Sequence, residues 1–285
     1  MNLHTQRMTK VLQFIDETLD LEVSVSSLAK MAFYSEFHFH RIFRSFVGES
    51  VYAYRKRLLM ERAVKFLQYT NKSVTEIAFD SGYDSHSSFT KAFKKFYKHS
   101  PSEVRQGQLI FDKYAFPQIE KGFNMKVKIV ELDEVQVIAV RGVGHFDEIA
   151  SNAWGRLMKF AYGSGYMNEQ VRRFGITHDD PNVTDLDKIR YDACLDLALG
   201  KGEGMDVSIH DDLKKMIITG GKYAQFVHEG SYDELGTTYN YAFNHWLPQS
   251  GYKLRLVPCF DLYLNKDPRR TKPENLTTIV HLPIV

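Results

Sequence analysis

Apolar positions recur at three- and four-residue spacing through the first hundred residues, then switch to alternation. Met8, Val11, Leu12, Ile15 and Leu19 share one face over residues 5–19, which predicts an amphipathic helix. Ser24, Ser26 or Ser27 can cap a short helix ending near Ala32. Phe33 and Tyr34 read as a turn. Ser35 then caps a helix that turns Phe39, Ile42, Phe43 and Phe46 inward and stops at Gly48. A longer helix is predicted from Val51 to Tyr69, capped by Ser50, with Tyr54, Leu58, Met60, Ala63, Val64 and Leu67 apolar. Ser73 and Glu76 have capping-box spacing. Gly82 suits the turn Asp80–Tyr83, and Asp84 or Ser85 caps a helix with Phe89, Ala92, Phe93 and Phe96 inward. Ser100, Pro101 and Glu103 open a last short helix.

Two stretches in this region copy each other. Phe39, Arg41 and Phe43 align with Phe89, Lys91 and Phe93 at one offset, and Ala29 aligns with Ala78 once one extra residue is allowed in the second turn. Each is a helix-turn-helix pattern. The helix between them has about 18 residues and so a length of roughly 27 Å. Successive major-groove faces on one side of B-DNA lie roughly 34 Å apart, close enough for one stiff rod to hold two recognition helices on one duplex. Any mismatch falls on DNA bending, at about 1–6 kcal/mol.

Beyond residue 107 the pattern changes. Residues 108–123 read as a linker whose aromatic residues pack against one or both neighbouring domains. Strands are predicted at Val127–Leu132, Val135–Val140, Phe174–His178, Arg190–Leu197, Tyr223–His228, Cys259–Leu264 and Thr277–Leu282. Helices are predicted at Glu148–Ala161 and Asp233–Leu247. A second repeat appears here: Gly144–Tyr166 aligns with Gly230–Tyr252 without a gap, and Ser231 with Glu234 gives the second copy a capping box. The expected fold is therefore two-domain. An all-α double helix-turn-helix domain spans 1–107. An α+β domain of two strand-helix-strand-strand repeats spans 124–285, with a cleft between the repeats as the natural small-molecule site.

Net charge adds one point. Residues 1–107 hold 16 Lys and Arg against 11 Asp and Glu, so +5; residues 108–285 hold 21 against 24, so −3. The first domain has the sign a phosphate-binding module needs, with clusters at Arg41, Arg44, Arg55, Lys56 and Arg57 and at Lys91, Lys94, Lys95 and Lys98. Cys194 and Cys259 sit in apolar runs and read as buried reduced thiols. His38 and His40 point to different helix faces, so no metal site is expected. No cofactor motif and no ordinary catalytic motif is present, and the segment 200–204 reads as a turn. The first residues lack the apolar core of a secretory leader, and no apolar run reaches the roughly 20 residues of a membrane span, so a cytoplasmic protein without membrane contact is expected. Without a long heptad seam, a monomer or weak homodimer is expected.

The first 107 residues resemble the DNA-binding domain of AraC/XylS-type transcription regulators. The motifs that carry the likeness are S-x-x-x-F-x-R-x-F…G from Ser35, I-A-x-x-x-G-Y from Ile77, F-x-K-x-F-K from Phe89 and P-S-x-x-R from Pro101. The resemblance implies that exposed positions of both second helices touch bases: Phe37, His40 and Arg41, then His86, Ser87, Thr90 and Lys91. Arg44, Lys94 and Lys95 would position the domain on phosphates. Arg41 suits guanine, and Phe37 a thymine methyl. Lys91 stands where Arg is more usual and lacks the guanidinium fork. Double-stranded DNA is the implied partner, and RNA polymerase a further candidate.

Residues 125–285 resemble the GyrI-like small-molecule-binding domain, most clearly in the repeated helix openings and in the tail from Pro258. The resemblance implies a carboxylate, on the strand after the second helix, in an aromatic cleft that meets cationic, apolar ligands. Asp261 falls there, where Glu is commoner, which leaves reach and ligand size open. Phe146, Trp154, Tyr191, Tyr232, Tyr239 and Tyr263 are the candidate walls. The leading expectation is a DNA-binding transcription regulator controlled by a small hydrophobic or cationic ligand. The rivals are a GyrI-like hydrolase, with Asp261 and Tyr191 or Trp154 activating water, and a protein that sequesters small toxic molecules.

Overall fold

The computed structural model describes residues 3–107, 124–200 and 213–285. The expected linker 108–123 and positions 201–204 of the expected turn lie outside the described residues. The chain divides into two compact units, Met1–Ile110 and Phe111–Val285.

Among the described residues the first unit has seven helices: α1 (Leu3–Glu17), α2 (Val25–Met31), α3 (Glu36–Val47), α4 (Val51–Tyr69), α5 (Val74–Asp80), α6 (His86–Tyr97) and α7 (Pro101–Arg105). Serines set their starts. Ser24, Ser35, Ser50, Ser73, Ser85 and Ser100 each accept a hydrogen bond from the backbone N–H three residues on, and at Ser73 and Ser100 Glu76 and Glu103 complete capping boxes. Gly48 ends α3 in the left-handed region at φ +83°.

The phenylalanine stripes differ from expectation at their ends. Phe39, Phe43, Phe89 and Phe93 are fully buried, but Phe46 and Phe96 are each 43% exposed, and Ile42 and Ala92 are only half-buried. Packing follows the i, i+4 ridge through Phe89, Phe93 and Tyr97, so Tyr97 takes the inward place and Phe96 falls off the ridge. Arg57 is a second departure. It points inward from α4, donating to Glu61 at 3.0 Å and Glu49 at 2.8 Å, and so leaves the expected basic surface. Arg57→Ala would take the guanidinium away from two carboxylates, Glu49 and Glu61, in a buried setting. The first unit should lose about 3–5 kcal/mol, read as a lower denaturant midpoint.

Among the described residues the second unit forms one antiparallel eight-stranded sheet. Its strands are β1 (Val127–Leu132), β2 (Val135–Val143), β3 (Arg173–Thr177), β4 (Arg190–Asp196), β5 (Lys214–Ile218), β6 (Gly221–Glu229), β7 (Cys259–Tyr263) and β8 (Thr277–Pro283). They are ordered β1-β6-β8-β7-β3-β4-β2-β5. Exchanging the first four strands with the last four reverses this order onto itself, so the repeats are related by a pseudo-twofold axis between β3 and β7. Each repeat's first strand pairs within the other repeat, β1 with β6 and β5 with β2. The repeat is thus strand-strand-helix-strand-strand. β5 escapes the sequence pattern because its inward Lys214 breaks the alternation; buried, that lysine donates to Asp192 at 2.8 Å.

The helix α8 (Phe146–Gly163) covers one face of the first repeat, burying Ala153, Leu157 and Ala161 against Ile138, Val140 and Ala193. Its counterpart is not one regular helix. A 3-10 turn over Tyr232–Glu234 leads to α9 (Leu235–Asn240), a π-helical turn (Tyr241–Trp246) and α10 (Leu247–Ser250). Pro248 accounts for the wide turn, since in α geometry its ring would strike the carbonyl of Asn244. The expected capping box at Ser231 and Glu234 does not form. The tighter 3-10 turn brings the N–H of Asp233 to the Ser231 hydroxyl instead.

Candidate functional site

The pseudo-twofold axis runs through the pair Gly175–Asp261. These two residues face each other between β3 and β7, and they are also equivalent in the repeat, 86 positions apart like Gly144 and Gly230. Where the second copy carries a carboxylate the first carries no side chain. A Cβ at Gly175 would sit 2.5 Å from the hydroxyls of both Tyr191 and Tyr263. Glycine therefore makes the space in which the two phenols meet. Sequence reading missed Gly175; carrying the repeat alignment on from Tyr166 and Tyr252 at the same offset would have found it.

Asp261 is 1% exposed. Tyr239 donates to its Oδ1 at 2.8 Å, and Tyr263 also hydrogen-bonds it. Tyr263 meets Tyr191 at 3.1 Å, and Trp154 Nε1 donates to the Tyr191 hydroxyl at 2.8 Å. An indole nitrogen only donates. Tyr191 thus has its own proton free for Tyr263. Phe146 meets the Tyr191 ring edge-on at 5.4 Å; Tyr232 and Trp154 meet the Tyr263 ring at 5.2 and 5.6 Å. All seven residues expected at the ligand site fall in this one connected cluster.

No cationic side chain pairs with Asp261 among the described residues. Burial pushes its carboxyl up to about 7, against which the two tyrosine hydroxyls pull down. Burial also raises Tyr191, Tyr239 and Tyr263 well above the ordinary phenol range, so they remain neutral donors. The cluster offers one charge, opposed only by neutral groups and ring faces. Gly175→Ala should force the two hydroxyls apart at a cost of about 1–3 kcal/mol. A lower thermal midpoint together with altered Trp154 fluorescence would report it.

The other candidate surface belongs to α3 and α6. Phe37, Arg41, Arg44, His86, Ser87, Lys91, Lys94 and Lys95 are exposed, while His40 and Thr90 are half-buried. The Arg41 guanidinium lies 5.8 Å from the Phe37 ring centre, and His40 stacks on Tyr52 at 6.1 Å. The Thr90 hydroxyl is enclosed and has no hydrogen-bond partner among the described residues. Phe39, Phe43, Phe89 and Phe93 hold both helices by their inner faces, so the cations project outward by helical period alone.

Among the described residues no helix is long and apolar enough to cross a membrane, and no group of three or more His, Cys, Asp or Glu could hold a metal ion. A double helix-turn-helix unit with outward cations, joined to a pseudo-symmetric sheet with a buried carboxylate, defines a DNA-binding transcription regulator controlled by a small molecule. Comparison with known proteins agrees. Residues 28–107 match the model of a helix-turn-helix domain, and residues 125–285 match that of the GyrI-like small molecule binding domain. The HTH-type transcriptional activator AarP of Providencia stuartii is 35% identical over 98 residues, 34% of this chain and 73% of that protein. The right origin-binding protein of Escherichia coli (strain K12) is 23% identical over 226 residues, 77% of each chain. The crystal structure of the EcmrR C-terminal domain covers 57% of this chain and 99% of that one, at 16% identity and a TM-score of 0.45. The chain belongs to the AraC/XylS-type regulators and, in its second half, to the GyrI-like small molecule binding family.

Proposed function

We propose that the small molecule is a lipophilic cation and that Asp261 is its charge partner. The observation that carries this reading is a buried carboxylate with no protein cation beside it. Such a group holds either a proton or a cation supplied from outside. The surrounding rings favour a cation with apolar substituents, through cation–π contact and apolar burial together. Entry requires Tyr239 or Tyr263 to release the carboxylate. Tyr239 stands just before the π-helical turn, a local irregularity that frequently accompanies functional sites.

On this reading the cluster receives a ligand and leaves it unchanged. DNA is read by Phe37, His40, Arg41, His86, Ser87 and Lys91, and Arg44, Lys94 and Lys95 rest on phosphates. Thr90 contributes its methyl group, because its hydroxyl is enclosed.

Titration of the full chain with tetraphenylphosphonium and with an uncharged analogue of the same shape, followed by tryptophan fluorescence, tests the ligand class. The cation should bind and the neutral analogue should bind far more weakly; equal binding would refute the role of Asp261. Mass spectrometry of the recovered ligand should find it intact.

A further inference from the structure

The turn before α3 holds a residue outside its ordinary conformational range. Phe33 lies at φ +57°, in the left-handed region where a Cβ crowds the following carbonyl. The second helix-turn-helix makes the same turn with Gly82 at φ +77°. Both turns close with the same hydrogen bond, Tyr34 N–H to Ala29 O at 2.9 Å and Tyr83 N–H to Ala78 O at 3.0 Å. Glycine would therefore serve at position 33. Nor is the phenylalanine kept for packing. Its side chain is 78% exposed, more than any other large apolar one among the described residues.

The neighbour of that ring is Arg7 of α1. Its guanidinium carbon lies 5.2 Å from the ring centre of Phe33 and 5.2 Å from that of Tyr34. Arg7 forms no ion pair among the described residues. A planar cation is thus held against two rings at the entrance to the first recognition helix. In helix-turn-helix binding the N-terminal residues of the second helix enter the major groove while the first helix crosses the backbone. The turn between them stands at the groove edge, where the phosphates run. We infer that Arg7, held by Phe33 and Tyr34, is a phosphate clamp at the groove edge of the first helix-turn-helix, and that the strain at Phe33 persists because its ring holds the clamp. Gly82 supplies no ring at the equivalent place, so this anchoring is peculiar to the first copy.

The inference rests on duplex binding by this unit, and one experiment separates the two. Full-length wild type, Arg7→Gln and Phe33→Gly are titrated with a short duplex of random sequence between about 50 and 200 mM salt, and thermal midpoints are measured in parallel. Arg7→Gln should lower the slope of log K against log salt by about 0.9, the value of one phosphate contact. Phe33→Gly should weaken binding about two- to fivefold, the worth of an exposed cation–π contact, while its midpoint stays level or rises because the strain is gone. A wild-type slope in Arg7→Gln, or wild-type affinity in Phe33→Gly, overturns the clamp. A lowered midpoint in Phe33→Gly also overturns it, by making Phe33 a packing residue. Failure of the wild type to bind any duplex would sink the DNA assignment itself, and the clamp with it.

Discussion

Asp261→Asn is expected to weaken a permanent lipophilic cation by about 2–5 kcal/mol and to remove the pH dependence of its binding. Burial holds the Asp261 carboxyl at about 7 in the folded protein, above its ordinary 3.8. Below pH 7 an incoming cation must therefore displace a proton. Affinity for a permanent cation should rise about tenfold per pH unit up to pH 7 and level off above it. Isothermal titration at pH 5, 6, 7 and 8 checks this, and a flat profile for wild type would remove Asp261 from the site.

The same shift fixes a stability trend with the opposite slope. Below about pH 3.8 the carboxyl is protonated in both folded and unfolded chains, and the folded state carries no penalty. Between 3.8 and 7 the unfolded chain has released the proton while the folded chain keeps it, so stability falls as pH rises. Above 7 the loss is complete, at about 4 kcal/mol without ligand. Asp261→Asn should lack this decline and at pH 8 should be the more stable protein. On the proposed reading, a bound cation would make the charged site tolerable, and a regulator that is less stable when empty would have a ready source of conformational response.

Arg41→Ala combined with Lys91→Ala is expected to reduce preference for a selected DNA fragment over random duplex by about tenfold or more. Removal of Arg41 should cost about 1–3 kcal/mol on the specific fragment, a base-reading loss. Lys91, without a bidentate fork, should cost less. The two sit in separate helices with separate contacts, so their losses should nearly add. Neutralising Arg44, Lys94 or Lys95 should instead weaken all sequences alike and reduce the salt slope by about one unit each. Fluorescence anisotropy on both duplexes at two salt concentrations distinguishes these patterns. An unchanged specificity ratio in the double variant would move base reading away from the centres of α3 and α6.

Much of the first unit could be read along the chain because its determinants are local. A serine three residues before a free N–H, a glycine at a positive φ and a phenylalanine every fourth residue act within a turn or two of helix. Ser50 and Tyr69 bound α4 as expected. Reading failed where a partner decided the outcome. Phe96 and Tyr97 are both aromatic and adjacent, and only the ridge against the neighbouring helices selects Tyr97. Arg57 looked like one more surface cation until Glu49 and Glu61 drew it inward. Likewise β5 was hidden by a lysine whose partner, Asp192, stands two strands away in the sheet.

The sequence alone determined the duplicated helix-turn-helix units, the helix between them, the second internal repeat and the members of the proposed ligand site from Phe146 to Tyr263. Each follows from residue period or from self-alignment, which need no third dimension. Only the tertiary structure decided that the repeats exchange their first strands and that the axis between them passes through Gly175 and Asp261. It alone gathered three phenols and an indole around one buried carboxylate. The reason is physical: a hydroxyl's partner and a carboxylate's exposure depend on atoms brought together from strands far apart in sequence, and burial changes the energy of that charge more than any neighbour along the chain.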